Sequence, residues 1–252
     1  MASKGAHTLI VGWEGYGKTH LLRHLSNNGI ANSTPCDVMI HFAVPGPPKE
    51  FLLTLGEEMV KQGDLKLDVD EKHDAHWVME KLKVRQLHRI VHDSLAKSHN
   101  RYLLLIDDID QISPTQKAMM QEVLELRNVQ VIATAKSQRP RLASLWHHFF
   151  TVGLSRLPKA VSDRIVEEFL EERGIPVADD WRMKGAKREG EGLKVLKERL
   201  YRKSRGNPRN LKALLRKIEI EGYVDRDYMM KELGAEAEEP YIDMTWFIIA
   251  TA

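Results

Sequence analysis

From Gly12 to Thr19 the chain reads G-W-E-G-Y-G-K-T, three glycines in a loop that closes on a lysine and a threonine. Glycines let a backbone turn its N–H groups inward around an anion. A lysine in that position supplies a cation for terminal phosphates, and a threonine hydroxyl can ligate a divalent cation. The loop therefore carries the chemistry of a polyphosphate cradle. A second stretch, R-Y-L-L-L-I-D-D-I-D-Q-I-S, runs the apolar residues Leu103 to Ile106 into Asp107 and Asp108. Asp107 is the carboxylate to hold Mg²⁺ through water, and Asp108 is the candidate to polarise an attacking water.

Such groups need a scaffold that brings the ends of separate strands together. Thr8 to Val11 read as a buried strand before the glycine loop, and Leu21, Leu22 and Leu25 recur at helical spacing after it until Gly29. Strand, loop and helix in that order place the helix N-terminus and its positive dipole end at the phosphates. Further strands are expected at Asp37 to Phe42, Leu103 to Ile106, Val129 to Ala133 and in the stretch F-F-T-V-G-L-S-R-L-P before Pro158. Helices are expected over Phe51 to Lys61 and His76 to Lys97, and Ser113, Pro114 and Gln116 form an N-cap, first-turn proline and capping-box partner for another. Strands alternating with helices predict a mostly parallel sheet covered on both faces. Beyond Pro158 the strands are expected to stop. Apolar periodicity marks helices from Val161 to Gly174, from Leu193 to near Gly206, and after Asn207, with Pro208 in the first turn and Leu211, Leu214, Leu215 and Ile218 on one face.

The stretches G-W-E-G-Y-G-K-T, L-L-L-I-D-D-I-D, V-Q-V-I-A-T-A-K-S and G-N-P-R-N-L-K-A-L-L-R-K occur in this order across residues 8 to 217. They resemble the Walker A, Walker B, sensor 1 and sensor 2 elements of the AAA+ ATPases and the related STAND nucleotide switches. Within that class the texture is similar to the Orc/Cdc6-type replication initiators and the transposition-helper ATPases. The resemblance implies an α/β fold: a three-layer P-loop NTPase core with a mostly parallel sheet over residues 1–157, then a small all-helical lid over 158–235. An acidic linker and apolar tail occupy 236–252. It also implies ATP and Mg²⁺ as ligands, and the absence of a guanine-specific N-K-x-D motif favours ATP over GTP. The nucleotide set is then Gly12, Gly15, Tyr16, Gly17, Lys18, Thr19, His20 and Asp107, with Thr19 and Asp107 at the metal.

By the same resemblance Thr134 orients the attacking water between the metal carboxylate and the γ-phosphate, and Arg209 folds onto the γ-phosphate to couple the lid to nucleotide state. Asp108, Thr134 and Arg209 form the expected catalytic group. The sequence departs from the pattern in two places. Asp108 stands where AAA+ enzymes generally carry glutamate, and a side chain one methylene shorter predicts slow turnover or a binding switch. The segment L-A-S-L-W-H-H-F-F lacks the arginine that a neighbouring subunit inserts into the active site; Arg139 and Arg141 lie nearby, and spacing selects neither. Lys136 and the paired aspartates lean toward the STAND branch. The histidines, His147 and His148 among them, show no metal-ligand spacing, and no nucleophile triad is visible.

Composition bounds the class. With 252 residues, 42% hydrophobic and 29% charged, the chain is long enough to bury a core. One cysteine, Cys36, excludes an internal disulfide framework and fits a reducing compartment, read as cytoplasmic; no run reaches membrane-spanning length. The net charge is only +2, yet Arg182 to Lys217 contains fourteen Lys/Arg against three acidic residues. That patch reads either as a surface for double-stranded DNA, with Lys197, Arg202 and Lys203 as contacts, or as a solvated helical face. The terminal M-T-W-F-I-I-A-T-A packs back on the core or docks on a protein partner. Three functions are left: an ATPase coupling nucleotide to DNA binding or homo-oligomer assembly, an ATP switch acting on a protein with little hydrolysis, or a nucleotide-stabilised scaffold. No winged-helix or helix-turn-helix pattern follows the lid, which weighs against a sequence-specific initiator.

Overall fold

The computed structural model describes residues 7–28, 36–43, 45–67, 74–178, 181–183, 186–188 and 191–233. Gly29, the segment 236–252 and parts of the basic stretch lie outside the described residues. The chain divides into two compact units, Met1–Ser155 and Arg156–Ala252.

The first unit is built on β1 (His7–Val11), α1 (Lys18–Asn28), β2 (Val38–Phe42), α2 (Pro48–Lys61), α3 (Ala75–Lys81), α4 (Val84–Lys97), β3 (Tyr102–Ile106), α5 (Pro114–Glu125), β4 (Val129–Ala135), α6 (Ala143–Trp146) and β5 (Phe149–Gly153). Five strands pair in parallel in the order β2-β3-β4-β1-β5. The expected α/β architecture, with a mostly parallel sheet and a helical C-terminal region, is the one observed. Alternation along the buried β3 shows how both faces are covered. Tyr102, Leu104 and Ile106 join the large cluster with Leu52, Leu55, Leu87 and Leu95 of α2 and α4. Leu103 and Leu105 point the other way and pack with Leu22 of α1.

Several details differ from the sequence expectation. The stretch His76 to Lys97 is two helices rather than one. Leu82 and Lys83 are extended between them, Asp74 caps α3 by accepting from Trp77 N at 2.8 Å, and the Gln86 side chain accepts from Lys83 N at 3.1 Å to open α4. A side chain that captures a backbone N–H starts a new helix where apolar spacing alone would continue the old one. Helix α2 begins at Pro48, three residues before its first apolar position, because proline suits a first turn. Strand β4 extends to Ala135 and so includes Thr134.

The second unit contains α7 (Lys159–Arg173), β6 (Trp181–Met183), β7 (Ala186–Arg188), α8 (Gly192–Ser204), α9 (Pro208–Glu221) and α10 (Arg226–Glu232). Its core joins Val166 and Leu170 of α7, Leu196 and Leu200 of α8, Leu211, Leu215 and Ile218 of α9, and Met229 of α10. Strands do not stop at Pro158: β6 and β7 form an antiparallel pair, and Val177 bridges Val224. Each of these strands is three residues long, too short for alternation to stand out against the surrounding charge. Among the described residues no helix is long and apolar enough to cross a membrane.

Candidate nucleotide site at the carboxyl edge of the sheet

Strands β3, β4 and β1 are consecutive in the sheet, so the segments that leave their carboxyl ends meet. Ligands of open α/β sheets bind at this edge. The glycine loop leaves β1 with Gly12 N donating to Ala135 O at 3.2 Å, which ties it to the end of β4. A Cβ on Gly12 would sit 3.0 Å from Leu154 Cβ and 3.1 Å from its carbonyl oxygen, so a larger residue would crowd Leu154 and ask the loop or its neighbour to give by a few tenths of an ångström. Gly15 and Gly17 have φ of 82° and 90°, values that side-chain-bearing residues rarely adopt. Between them Tyr16 N donates to Trp13 O at 3.2 Å.

Helix α1 starts at Lys18, so the N–H groups of Lys18, Thr19 and His20 belong to its first turn, which has no intrahelical acceptors. These donors and the positive end of the helix face the same edge as the carboxylates. Lys18 is 8% exposed, and its Nζ donates to Gly12 O at 2.8 Å and Trp13 O at 3.4 Å. The cation is folded into the loop, held by carbonyls that phosphate oxygens would outcompete.

The carboxylate side is equally defined. Asp107 is buried, its N–H donates to Phe42 O at 3.0 Å, and its Oδ1 accepts from the hydroxyl of Thr134, which is itself fully buried. The Thr134 hydroxyl oxygen also accepts from Asp108 N at 2.9 Å. One hydroxyl at the end of β4 thus fixes both aspartates after β3. Asp108 adopts φ 49° and ψ 45°, the left-handed region that aspartate tolerates better than most residues. Partial burial raises the Asp108 pKa above the usual carboxylate range, the neighbouring Asp107 charge adds to this, and Lys18 opposes it. That Lys18 acts on Asp108 electrostatically places the glycine loop and the aspartate pair in one field.

A third carboxylate, Asp110, was not singled out by the sequence. It is 1% exposed, accepts from Lys136 N at 3.2 Å, and its backbone oxygen accepts from Arg141 Nη2 at 3.1 Å. Arg139 Nε lies 3.3 Å from Asp110 Oδ2, an ion pair without aligned hydrogen-bond geometry, since that oxygen has no hydrogen-bond partner. The only signal was the third aspartate in D-D-I-D. Both arginines considered as fingers are therefore bound to Asp110 of their own chain.

The residues present fit Mg²⁺ with a polyphosphate: Thr19 and Asp107 offer hard oxygen donors, and Lys18, the first-turn N–H groups and the glycine loop offer the complement to phosphate. Among the described residues no group of three His, Cys, Asp or Glu side chains is arranged to hold a metal by itself. Such a site would take its cation with the nucleotide, as Mg²⁺ does when substrate phosphates supply ligands.

The remaining predicted residues lie in the second unit. Arg209 is an exposed residue in the first turn of α9, where the Asn207 side chain accepts from Arg209 N at 2.9 Å and from Asn210 N at 3.4 Å. On α8, Lys197 pairs with Glu167 at 2.5 Å, Arg202 with Glu198 at 2.8 Å, and Lys203 donates to Glu232 O at 2.5 Å. At helical spacing Arg202 and Lys203 stand about 140° and 240° around from Lys197. They do not form one cationic face.

A parallel sheet of this order, with a glycine loop after β1 and an aspartate pair after β3, defines a P-loop nucleotide-binding fold. The chain belongs to the AAA domain family, whose model matches residues 2–142. Among solved structures it is similar to Cdc6p of Pyrobaculum aerophilum, with 13% identity, 91% of this chain and 57% of that one covered, and a TM-score of 0.50. It is also similar to a variant of the RuvB protein of Thermotoga maritima, with 16% identity, 92% and 64% coverage and a TM-score of 0.50. A STAND protein of Pyrococcus horikoshii with a tetratricopeptide repeat sensor aligns at 14% identity over 84% of this chain and 28% of that one, with a TM-score of 0.49. The chain spans less than two thirds of each of these structures, and the likeness to Cdc6p and RuvB is, at these identities, one of fold. No curated protein matches by sequence.

Proposed function

We propose that this protein binds Mg·ATP at the carboxyl edge of β1, β3 and β4, hydrolyses it slowly, and couples nucleotide state to DNA binding or assembly. The observation that carries the reading is the convergence of Lys18, Thr19, Asp107, Asp108 and Thr134, from three strands, on one edge. ATP supplies the scissile phosphoanhydride and Mg²⁺ the charge neutralisation. Gly12, Gly15, Tyr16, Gly17 and His20 shape the loop and first helical turn around the phosphates, and Lys18 turns from its carbonyls to them. Thr19 and Asp107 hold the cation. Asp108 takes the proton of the attacking water, and Thr134 keeps both aspartates in register. Arg209 couples the second unit to the γ-phosphate.

Slow turnover follows from two features of Asp108: it is shorter than glutamate, and its backbone is fixed in the left-handed region, which limits its reach. The direct test is calorimetric. Lys18→Ala lowers ATP affinity by about 100-fold or more, because it removes the cation the loop encloses; unchanged affinity refutes the site.

For the coupling, Arg209→Ala leaves ATP affinity largely intact while erasing the difference in affinity for a labelled duplex between ATP and ADP, read by fluorescence anisotropy. A second reading, an ATP switch acting on a protein partner, is favoured by one observation: the α8 cations first assigned to DNA are held by Glu167, Glu198 and the Glu232 carbonyl. Absence of duplex or RNA binding at low salt with ATP present decides for it.

A further inference from the structure

Within the second unit a groove of about 490 Å³ runs between α7 and α9. Leu157, Ile165, Phe169, Leu211 and Leu215 form its apolar floor, and Arg173, Lys212, Arg216 and Glu219 its rim. Arg173 is matched internally, with its Nε 2.6 Å from Glu219 Oε1 and its guanidinium over the Phe169 ring. Lys212 and Arg216, one helical turn apart on α9, are exposed and make no ion pair with any described residue. Among the described residues the groove therefore presents an apolar trough with two positive charges on one side that no ion pair compensates. Such a surface selects a segment that is apolar and acidic.

The chain carries one. Residues 234–252 read G-A-E-A-E-E-P-Y-I-D-M-T-W-F-I-I-A-T-A, with four acidic residues, no basic one, and Ile242, Trp246 and Ile249 at i, i+4 and i+7. That spacing is the anchor pattern of a helix laid in a groove. We propose that this segment docks in the α7–α9 groove of its own chain. Trp246 and Ile249 enter the apolar floor, and the acidic residues around Pro240 face Lys212 and Arg216.

The tether permits this. Glu232, at the end of α10, reaches Lys217 of α9 at 3.9 Å, and helical spacing puts Lys217 on the opposite side of α9 from the groove. The path is half way around a helix about 10–12 Å across. Trp246 lies thirteen positions beyond Leu233, and at about 3.3 Å per step the connection spans roughly 43 Å, ample for the turn. A short tether also holds the segment at an effective concentration on the order of millimolar, so it outcompetes the same segment of other molecules at ordinary protein concentrations.

The test uses the full chain with Phe247 replaced by photo-reactive benzoylphenylalanine, irradiation, and peptide mass analysis. Crosslinks are expected at monomer mass and within Ile165–Arg173 or Pro208–Glu219. Lys212→Glu with Arg216→Glu lowers their yield about three- to tenfold, the size expected for two exposed pairs. Replacing Glu238, Glu239 and Asp243 by Lys in that background restores it. Both groove substitutions are at exposed positions, and far-UV circular dichroism confirms that the variant is folded. Crosslinks at dimer mass would instead assign the groove to a second copy and overturn the intrachain assignment. Crosslinks outside the groove, none at all, or a yield indifferent to the charge reversal would also overturn it.

Discussion

Replacing Thr134 by Val removes one oxygen and keeps the shape, and the structure says what that oxygen does. It donates to Asp107 Oδ1 and accepts from Asp108 N, at a fully buried position. In the valine variant a buried carboxylate oxygen loses its donor and a backbone N–H loses its acceptor. Hydrogen bonds to charged groups contribute about 1.5–3 kcal/mol and neutral ones about 1 kcal/mol, so the loss is about 2.5–4 kcal/mol. For a unit the size of Met1–Ser155, each kcal/mol moves the midpoint by roughly 2–4 °C, giving a fall of about 5–15 °C. Hydrolysis falls about 10- to 100-fold, as when a group that orients a ligating carboxylate is lost. Thr134→Ser separates the hydroxyl from the methyl: it keeps both hydrogen bonds and so keeps turnover, at a stability cost of about 1 kcal/mol. Differential scanning calorimetry and a phosphate-release assay on the three proteins measure both effects. A midpoint shift under about 1 °C for the valine variant, or serine behaving as valine does, refutes the role assigned to this hydroxyl.

Asp108→Asn retains ATP affinity and lowers turnover about 100-fold or more, the scale of a lost general base; equal turnover in single-turnover assays removes Asp108 from the chemistry. The same residue sets a pH dependence. In the nucleotide-free protein burial, with the Asp107 charge beside it, raises its folded pKa. Because the folded state holds that proton more tightly than the unfolded chain does, the ionised group subtracts stability at neutral pH. Asp108→Asn is therefore more stable than the parent near pH 7 in thermal melts, a gain that shrinks as the pH falls through the folded pKa. Tyr102→Phe acts away from the site: the buried phenol donates to Asp64, which also accepts from Asn100 at 2.9 Å. Its loss lowers stability by about 1–3 kcal/mol in urea titrations and leaves ATP affinity unchanged.

Much of this was legible in the sequence because each signal is local. The glycine loop needs positive φ at Gly15 and Gly17, and only glycine supplies it cheaply. Ser113, Pro114 and Gln116 announce α5, and the observed cap has Ser113 accepting from Gln116 N and Gln116 accepting from Ser113 N. The β3 strand is apolar on both faces because helices cover both, so its end at Asp107 was visible. What escaped depends on contacts between distant segments. The break between α3 and α4 rests on two capping contacts inside an otherwise continuous apolar period. Clustered Lys and Arg between residues 182 and 217 do not reveal which of them face carboxylates from α7 or carbonyls from α10. The double role of the Thr134 hydroxyl also needed the register of β3 against β4, in which Ile106 lies beside Ala133.

Asp110 shows why register matters for function as well as for folding. It sits in a short 3₁₀ turn, Ile109–Gln111, that carries the chain away from the aspartate pair. Its side chain receives Lys136 N just beyond β4, while Arg139 and Arg141 close on its side chain and its backbone carbonyl. The backbone carbonyl of Arg141 in turn accepts from Lys117 of α5 at 3.0 Å. A buried carboxylate is costly unless opposed by charge and hydrogen bonds, so Asp110 and the two arginines stabilise one another only when β3 and β4 end in their observed register. The same register puts the Thr134 hydroxyl between Asp107 and Asp108. The segments after β3 and β4 are thus locked together twice, once at the aspartates that would face nucleotide and once a few residues further out.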